Sequence, residues 1–335
     1  MEQKERKGIA IAGSLIADVF YKIDTYPKEG LLTNIRETES YVGGSGNLIL
    51  DLAKLNPELQ IEVSALIGND ERGEMLIEKL SQYPNIQLDN VRKNGETSVT
   101  IVMNAQDTKQ RTFFFIPAAS NQFDISCIDW ERLNASVFHL EYLLLMEKVD
   151  ASDPVYGTHA AKILCEAKKR GMETSIDIVS EQSERAAKIV TSALRYTDYC
   201  AINEVEAESV TGIDLTKSEG ALEKNAEFVV KKLKDLGVSK WAVIHSPKCS
   251  YGYDCEKNLF VSVPSLKLPE GYIKGTNGAG DAFCSGILYS AHEGKDIETA
   301  MKLAAACAAC SLSEENGTDG MRTVKEVMEL EEKYR

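Results

Sequence analysis

The feature that most constrains this chain is a regular alternation of short apolar runs with stretches of helical periodicity. Gly8 to Gly13 (GIAIAG) reads as a buried strand, and residues 45 to 55 follow with Leu48, Ile49, Leu52 and Leu55 on one helical face. Ile61 to Ile67 reads as a strand and Glu71 to Leu80 as a helix. Val137 to Leu140, Glu173 to Ile178, Tyr199 to Ile202 and Trp241 to His245 read as further strands, with helical patterns at 157–170, 184–194 and 219–236 between them. Each strand is apolar on both faces, so the sheet must be covered on both sides. The expected fold is α/β, three-layered, with a mostly parallel central sheet. With 335 residues, 43% of them hydrophobic, the chain has ample material for one large core or two ordinary ones.

Two stretches break the alternation. Residues 19–42 are polar and β-prone, with Pro27 and Gly30 as turn signals. Residues 97–116 read as two strands, SVTIVMNA and RTFFFI, joined at Gln106–Lys109. Together they predict a small antiparallel sheet inserted into the α/β core, used as a lid over a cleft, as an edge extension or as an oligomer contact. Alternation puts Phe113 and Phe115 on one face of it and Phe114 on the other. Met321 to Arg335 reads as an amphipathic helix docked on the core.

Charge narrows the partners. Thirty-eight basic against 52 acidic residues leave −14, which argues against nucleic acid or an anionic membrane as the main partner. A locally positive phosphate site remains compatible with it. No apolar run is long enough to span a bilayer, and no signal-peptide pattern follows the charged N-terminus, so a cytoplasmic location is expected. The eight cysteines are scattered. The one CxxC, Cys307 and Cys310, lies in an alanine-rich helical stretch and reads as core thiols rather than a metal pair. With four histidines in all, and no ligand-like spacing at His139, His159 and His292, a histidine-built metal site is not expected.

Two glycine-rich stretches carry the chemistry. In Lys274 to Tyr289 (KGTNGAGDAFCSGILY), glycines at 275, 278 and 280 precede a helix. Such a turn points backbone N–H groups at one spot, and a helix N-terminus adds unpaired donors and a positive dipole end, which suits a phosphate. Asp281 stands where the helix begins, as an N-cap or as a general base beside the anion. Val42 to Leu50 (VGGSGNLIL) is a second glycine turn opening a helix. It lacks the third glycine of a dinucleotide fingerprint, and no GxxxxGK[ST] occurs in the chain. Asn47 there is a capping residue or a hydrogen-bonding group for a hydroxylated ligand.

Both motifs, in this order, together with a GSxxxD pattern at Gly13 to Asp18, resemble the PfkB carbohydrate kinases, the ribokinase-like family, over nearly the whole chain. The resemblance implies a single ribokinase-like domain, 1–335, with 19–42 and 97–116 as its lid. It implies an ATP-dependent kinase acting on a hydroxyl of a sugar or sugar-like molecule. Asp281 would be the base, and Gly278, Ala279 and Gly280 the anion hole. Asp18, Gly44, Asn47 and, more loosely, Glu141 would hold the sugar. Asn203 and Glu206 match the family's N-x-x-E motif, which organises Mg2+ through its waters. A helix start would use the same two residues. Thr276 and Lys248 are the remaining candidate nucleotide contacts, with a solvated surface lysine the favoured reading of Lys248. The lid is a candidate homodimer contact.

Two departures from the family pattern stand out. Gly275 replaces a common Asp that helps bind an activating monovalent cation, which places potassium activation in doubt. His245 to Cys249 (HSPKC) replaces the usual T-x-G beside the nucleotide. A nucleoside kinase on the same scaffold, or a sugar- or nucleotide-binding regulator without catalysis, are the alternatives. Intact Asp281 and GAG donors favour an enzyme.

Overall fold

A computed structural model describes residues 6–108, 110–181 and 185–335. Its central sheet has nine strands. From one edge to the other they are Leu259–Pro264, Cys249–Asp254, Trp241–His245, Tyr199–Asn203, Glu173–Ile178, Val137–Leu143, Ile9–Gly13, Ile61–Ile67 and Ile86–Lys93. Seven of these run parallel, and the two at the Leu259 edge pair antiparallel. The chain starts in the interior of the sheet at Ile9–Gly13, builds toward Ile86–Lys93, then crosses over to Val137–Leu143 and builds the other way. The crossing point lies between Ile9–Gly13 and Val137–Leu143. In open α/β sheets the ligand crevice forms at the carboxyl ends of strands at such a switch.

The three layers follow from strand residues facing alternate ways. Ala10, Phe138, Ile176, Cys200 and Ala242 face the helices His159–Lys169, Arg185–Leu194 and Ala221–Leu236. Ile9, Ile11, Val63 and Val137 face the helices Ser45–Leu55 and Glu71–Leu80 on the other side, where Ala201 and Val243 pack against Ala279–His292 and Ile297–Ser311. The last two helices lie very close: a Cβ on Gly286 would come within 2.5 Å of Ala304 Cα. That contact explains the small residues around Cys307 and Cys310, which are fully buried free thiols in the core as expected.

The second sheet has four strands, in the order Ile35–Gly44, Leu15–Ile23, Val99–Ala105 and Arg111–Ile116. The outer pairs are antiparallel, while the middle pair, Leu15–Ile23 with Val99–Ala105, is parallel. Alternation alone does not show that direction. Register places Thr100 opposite both Asp18 and Phe115, so the three side chains share a face. The helices at 45–55 and 71–80 begin and end where expected. The sequence reading missed the two edge strands, Ile86–Lys93 and Leu259–Pro264, and Cys249–Asp254 beside the latter. No helix among the described residues is long and apolar enough to cross a membrane.

Candidate active site

The site is built at the carboxyl ends of the central strands, where the second sheet joins the core. Gly44, at the end of Ile35–Gly44, has φ 59° and precedes the helix Ser45–Leu55; a Cβ there would meet the Ser14 carbonyl at 2.2 Å. Its neighbour Gly43 faces Asp18, whose carboxylate occupies the space a Cβ would take. The two glycines therefore let the strand close over the Asp18 side chain and start the helix that carries Asn47 into the crevice. Asp18 is buried, which pushes it up to about 7, and its Oδ1 has no hydrogen-bond partner.

The GAGD turn meets this helix from the other end of the chain. Gly278, with φ 73°, occupies the N-cap position of Ala279–His292 and offers no side-chain cap. A Cβ on it would come within 2.5 Å of Gly317 Cα, so only glycine fits. The leading N–H groups of this helix have no acceptor within the helix. Asp281 is therefore not a cap. It sits in the first turn with its carboxylate turned to side chains: Oδ2 accepts from Asn47 Nδ2 at 2.9 Å, and Oδ1 accepts from the Tyr142 hydroxyl. Burial raises its pKa, and these two donors partly offset the shift. The two glycine motifs, far apart in sequence, thus meet through a direct Asn47–Asp281 bond.

Asn203 and Glu206 form a different kind of helix start. Asn203 Oδ1 accepts from Glu206 N–H at 2.9 Å, and Glu206 Oε2 accepts from Asn203 N–H at 2.9 Å. This is a complete capping box for the helix Glu204–Thr211. Ser180 donates from its hydroxyl to Glu206 Oε1 at 2.7 Å. Burial brings Glu206 up to about 7, with Asp281 contributing in the same direction.

A cleft of about 710 Å3 runs from the GAGD turn across the ends of the last parallel strands. Thr276, Ala279 and Gly280 line one end of it, and Phe283, Ala308 and Leu312 give it an apolar wall. His245 stacks on Phe283 with ring centroids 4.8 Å apart, and burial lowers its pKa to about 4, so it is neutral. Lys248 is exposed and does not line this cleft; Lys267 does. A second cleft of about 470 Å3, between the small sheet and the GAGD loop, is lined by Arg111, Phe113 and again Thr276. The two clefts share Ile273 and Thr276, just before the GAGD turn.

Glu141 lies at the carboxyl end of Val137–Leu143, fully buried beneath Asp281 rather than in the open crevice. Sequence reasoning missed Tyr142, Asp177 and Ser180. The available signal was polar residues at the carboxyl ends of otherwise apolar strands, where α/β proteins place their sites.

Comparison with known proteins identifies the family and the fold. The model of the pfkB family of carbohydrate kinases matches residues 6–324. The chain belongs to that family. Ribokinase of Arabidopsis thaliana is 24% identical over 327 residues, covering 96% of this chain and 80% of that protein. Among solved structures, ribokinase of Thermotoga maritima superposes with a TM-score of 0.78 at 22% identity, covering 97% of this chain and 99% of the other. The Arabidopsis ribokinase complexed with ribose and ATP gives the same TM-score, identity and coverage. This pfkB-family chain is accordingly a carbohydrate kinase with the ribokinase fold.

Proposed function

We propose that this kinase transfers the γ-phosphoryl group of ATP to a hydroxyl of a sugar or sugar-like small molecule. The observation that carries the reading is the Asn47–Asp281 pair at the mouth of an uncapped helix. A buried carboxylate is held by two donors beside N–H groups that have no partner in the helix. A carboxylate needs only hydrogen-bond reach to remove the acceptor's proton, and Asp281 is placed for that role. The backbone at Gly278, Ala279 and Gly280 stabilises charge gathering on the transferred group. Asp18, Gly44 and Asn47 form the acceptor wall; Glu141 supports that wall from beneath Asp281. The nucleotide takes the apolar cleft, with Thr276 beside the GAGD turn where its phosphates would lie, and Lys267 also on the cleft lining. Lys248, exposed, contributes at most from outside.

Mg2+ would arrive with the nucleotide and neutralise phosphate charge. Glu206 is bonded to Ser180 and to the Asn203 N–H, so it suits an indirect role through metal-bound water rather than direct ligation. Gly275 leaves no carboxylate for a monovalent cation: a Cβ there would meet the carbonyls of Glu314 and Glu315 at 2.9 and 2.8 Å. The small sheet exposes Phe113, Phe114, Ile116 and Ile35, and the loop leading into it exposes Leu32, which supports its use as a homodimer contact. The test is ADP release from MgATP across sugars, sugar acids and nucleosides, with and without potassium. Acceptor-dependent release without a potassium requirement is expected. ATP binding with no turnover on any acceptor would contradict the transfer reading.

A further inference from the structure

The small sheet carries a cation, Arg111, that phosphoryl transfer itself does not use. Register sets Arg111 opposite Asn104 and Phe113 opposite Val102, which in turn stands opposite Phe20. Facing residues of paired strands share a side, as do residues two apart on one strand. Arg111 therefore lies on the face that carries Asp18 and Phe20. Its side chain reaches across Val99–Ala105, and the guanidinium carbon stands 5.8 Å from the centre of the Phe20 ring. Phe20 follows Asp18 by two residues, roughly 7 Å along a strand. The guanidinium is thus displaced from Asp18 on the scale of a single sugar.

This guanidinium lacks a matching anion. Nη2 donates to the Glu315 carbonyl at 3.1 Å, and among the described residues Nε and Nη1 donate to no protein group and no carboxylate forms an ion pair with them. Lys22, on the same face, is by contrast paired with Glu37 at 3.0 Å and with Glu39 at 3.6 Å. Burial works against the charge of Arg111, and the charge of Glu315 offsets part of that. The space beside Arg111 is the cleft of about 470 Å3. Lys274 and Thr276 line it as well, and among the described residues no aspartate or glutamate does. Lys274 is tied to Glu314 at 3.2 Å, which leaves Arg111 as the donor for a ligand there. A half-buried cation gains most from an oxyanion, and the planar guanidinium fork matches a carboxylate or a phosphate. The nucleotide is not the source of that anion, because Arg111 does not line the apolar cleft.

We propose that the acceptor is an anionic sugar, a sugar acid or a sugar phosphate, and that Arg111 binds its carboxylate or phosphate group while the hydroxyl to be phosphorylated lies at Asp281. The proposal rests on the phosphoryl-transfer reading and narrows its acceptor.

The test compares aldonates and aldose phosphates, each beside the matching neutral aldose. ADP release from MgATP gives kcat/KM, and calorimetry gives acceptor binding to the full-length protein with ADP present. At least one anionic acceptor should exceed its neutral counterpart by about 10–100-fold, the scale of a hydrogen bond to a charged group. A preference confined to the carboxylates or to the phosphates decides between those two sources. Arg111→Met should erase the preference, chiefly through KM, and leave neutral acceptors and ATP affinity unchanged. Arg111→Lys should restore part of it, keeping the charge without the fork. Lys22→Met should keep the preference, because Lys22 is already paired. The wild-type comparison needs no variant. Equal use of the paired acceptors, or no anionic sugar bound or turned over, would overturn the proposal. Weaker ATP binding in Arg111→Met, whatever the acceptor, would overturn it as well and assign Arg111 to the nucleotide. An anionic sugar that binds through Arg111 without ADP release would keep the anion subsite and contradict the transfer reading instead.

Discussion

Two helices of this protein begin at the same edge of the central sheet, and they begin in opposite ways. Glu204–Thr211 starts in a closed circuit: Asn203 and Glu206 satisfy each other's backbone N–H groups, and Ser180 completes the set. Ala279–His292 starts on a glycine with no side-chain cap, and the carboxylate in its first turn faces away from its own backbone. Every helix start leaves donors that something must satisfy. Where side chains do so, the arrangement is stable without a ligand. Where a half-buried start is left open beside a buried carboxylate, its leading N–H groups stay available, which is what the proposed anion site requires. The same polar residue types therefore mean different things at the two positions.

The sharpest way to break this comparison is Asp281→Asn. Turnover should fall by about 10²–10⁴, the usual weight of a positioned base, while nucleotide binding is largely kept. ADP release and calorimetric titration of ATP check the two halves. Next comes Gly278→Ala, which places a Cβ against Gly317 in a left-handed conformation. Distorting the donors should cost roughly 10²–10³ in kcat, on the scale of losing one oxyanion donor. Asn203→Ala should act mainly on stability. Losing the cap costs about 1 kcal/mol, visible as a lower melting temperature, and Asn203→Ser should restore most of it. A loss of turnover in Asn203→Ala far beyond its loss of stability would show that the closed helix start also handles phosphate or metal.

A further prediction concerns pH. Burial lifts both Asp18 and Glu206 to about 7, above their ordinary range. An acid whose folded pKa is raised binds more protons folded than unfolded. Its contribution is fully present below the unfolded value, near 4, and is lost as pH rises through about 7. Melting temperature should therefore fall between pH 5 and about 8 in metal-free protein. Asp18→Asn should flatten that slope. A slope unchanged in the variant would mean Asp18 does not titrate there.

Much of this was readable from the residues. The buried parallel strands stood out as apolar runs, and both glycine turns were visible because few other sequences force a chain to turn so tightly before a helix. The strands at 86–93, 249–254 and 259–264 were not read. The first and last form the two edges and are half-exposed, while 249–254 is buried but carries Ser250, Gly252 and Asp254 among its tyrosines, so no apolar pattern marks it. Asp281 was ambiguous between cap and base because local sequence cannot say where its carboxylate points. Asn47, 234 residues away, settles the orientation by donating to it. Asp177 and Tyr142 were invisible for a related reason: each looks like an ordinary strand residue until the sheet brings three strand ends together. Lys248 shows the converse, a residue type suited to phosphate that the fold leaves outside the cleft.

The most direct measurement is acceptor-dependent ADP release, run side by side on the wild type, Asp281→Asn and Asn203→Ala, with ATP affinity determined for each. Near-total loss of turnover with ATP binding intact is expected in Asp281→Asn, and activity that follows the folded fraction in Asn203→Ala. An Asp281→Asn protein that turns over like the wild type would contradict the role assigned to this carboxylate.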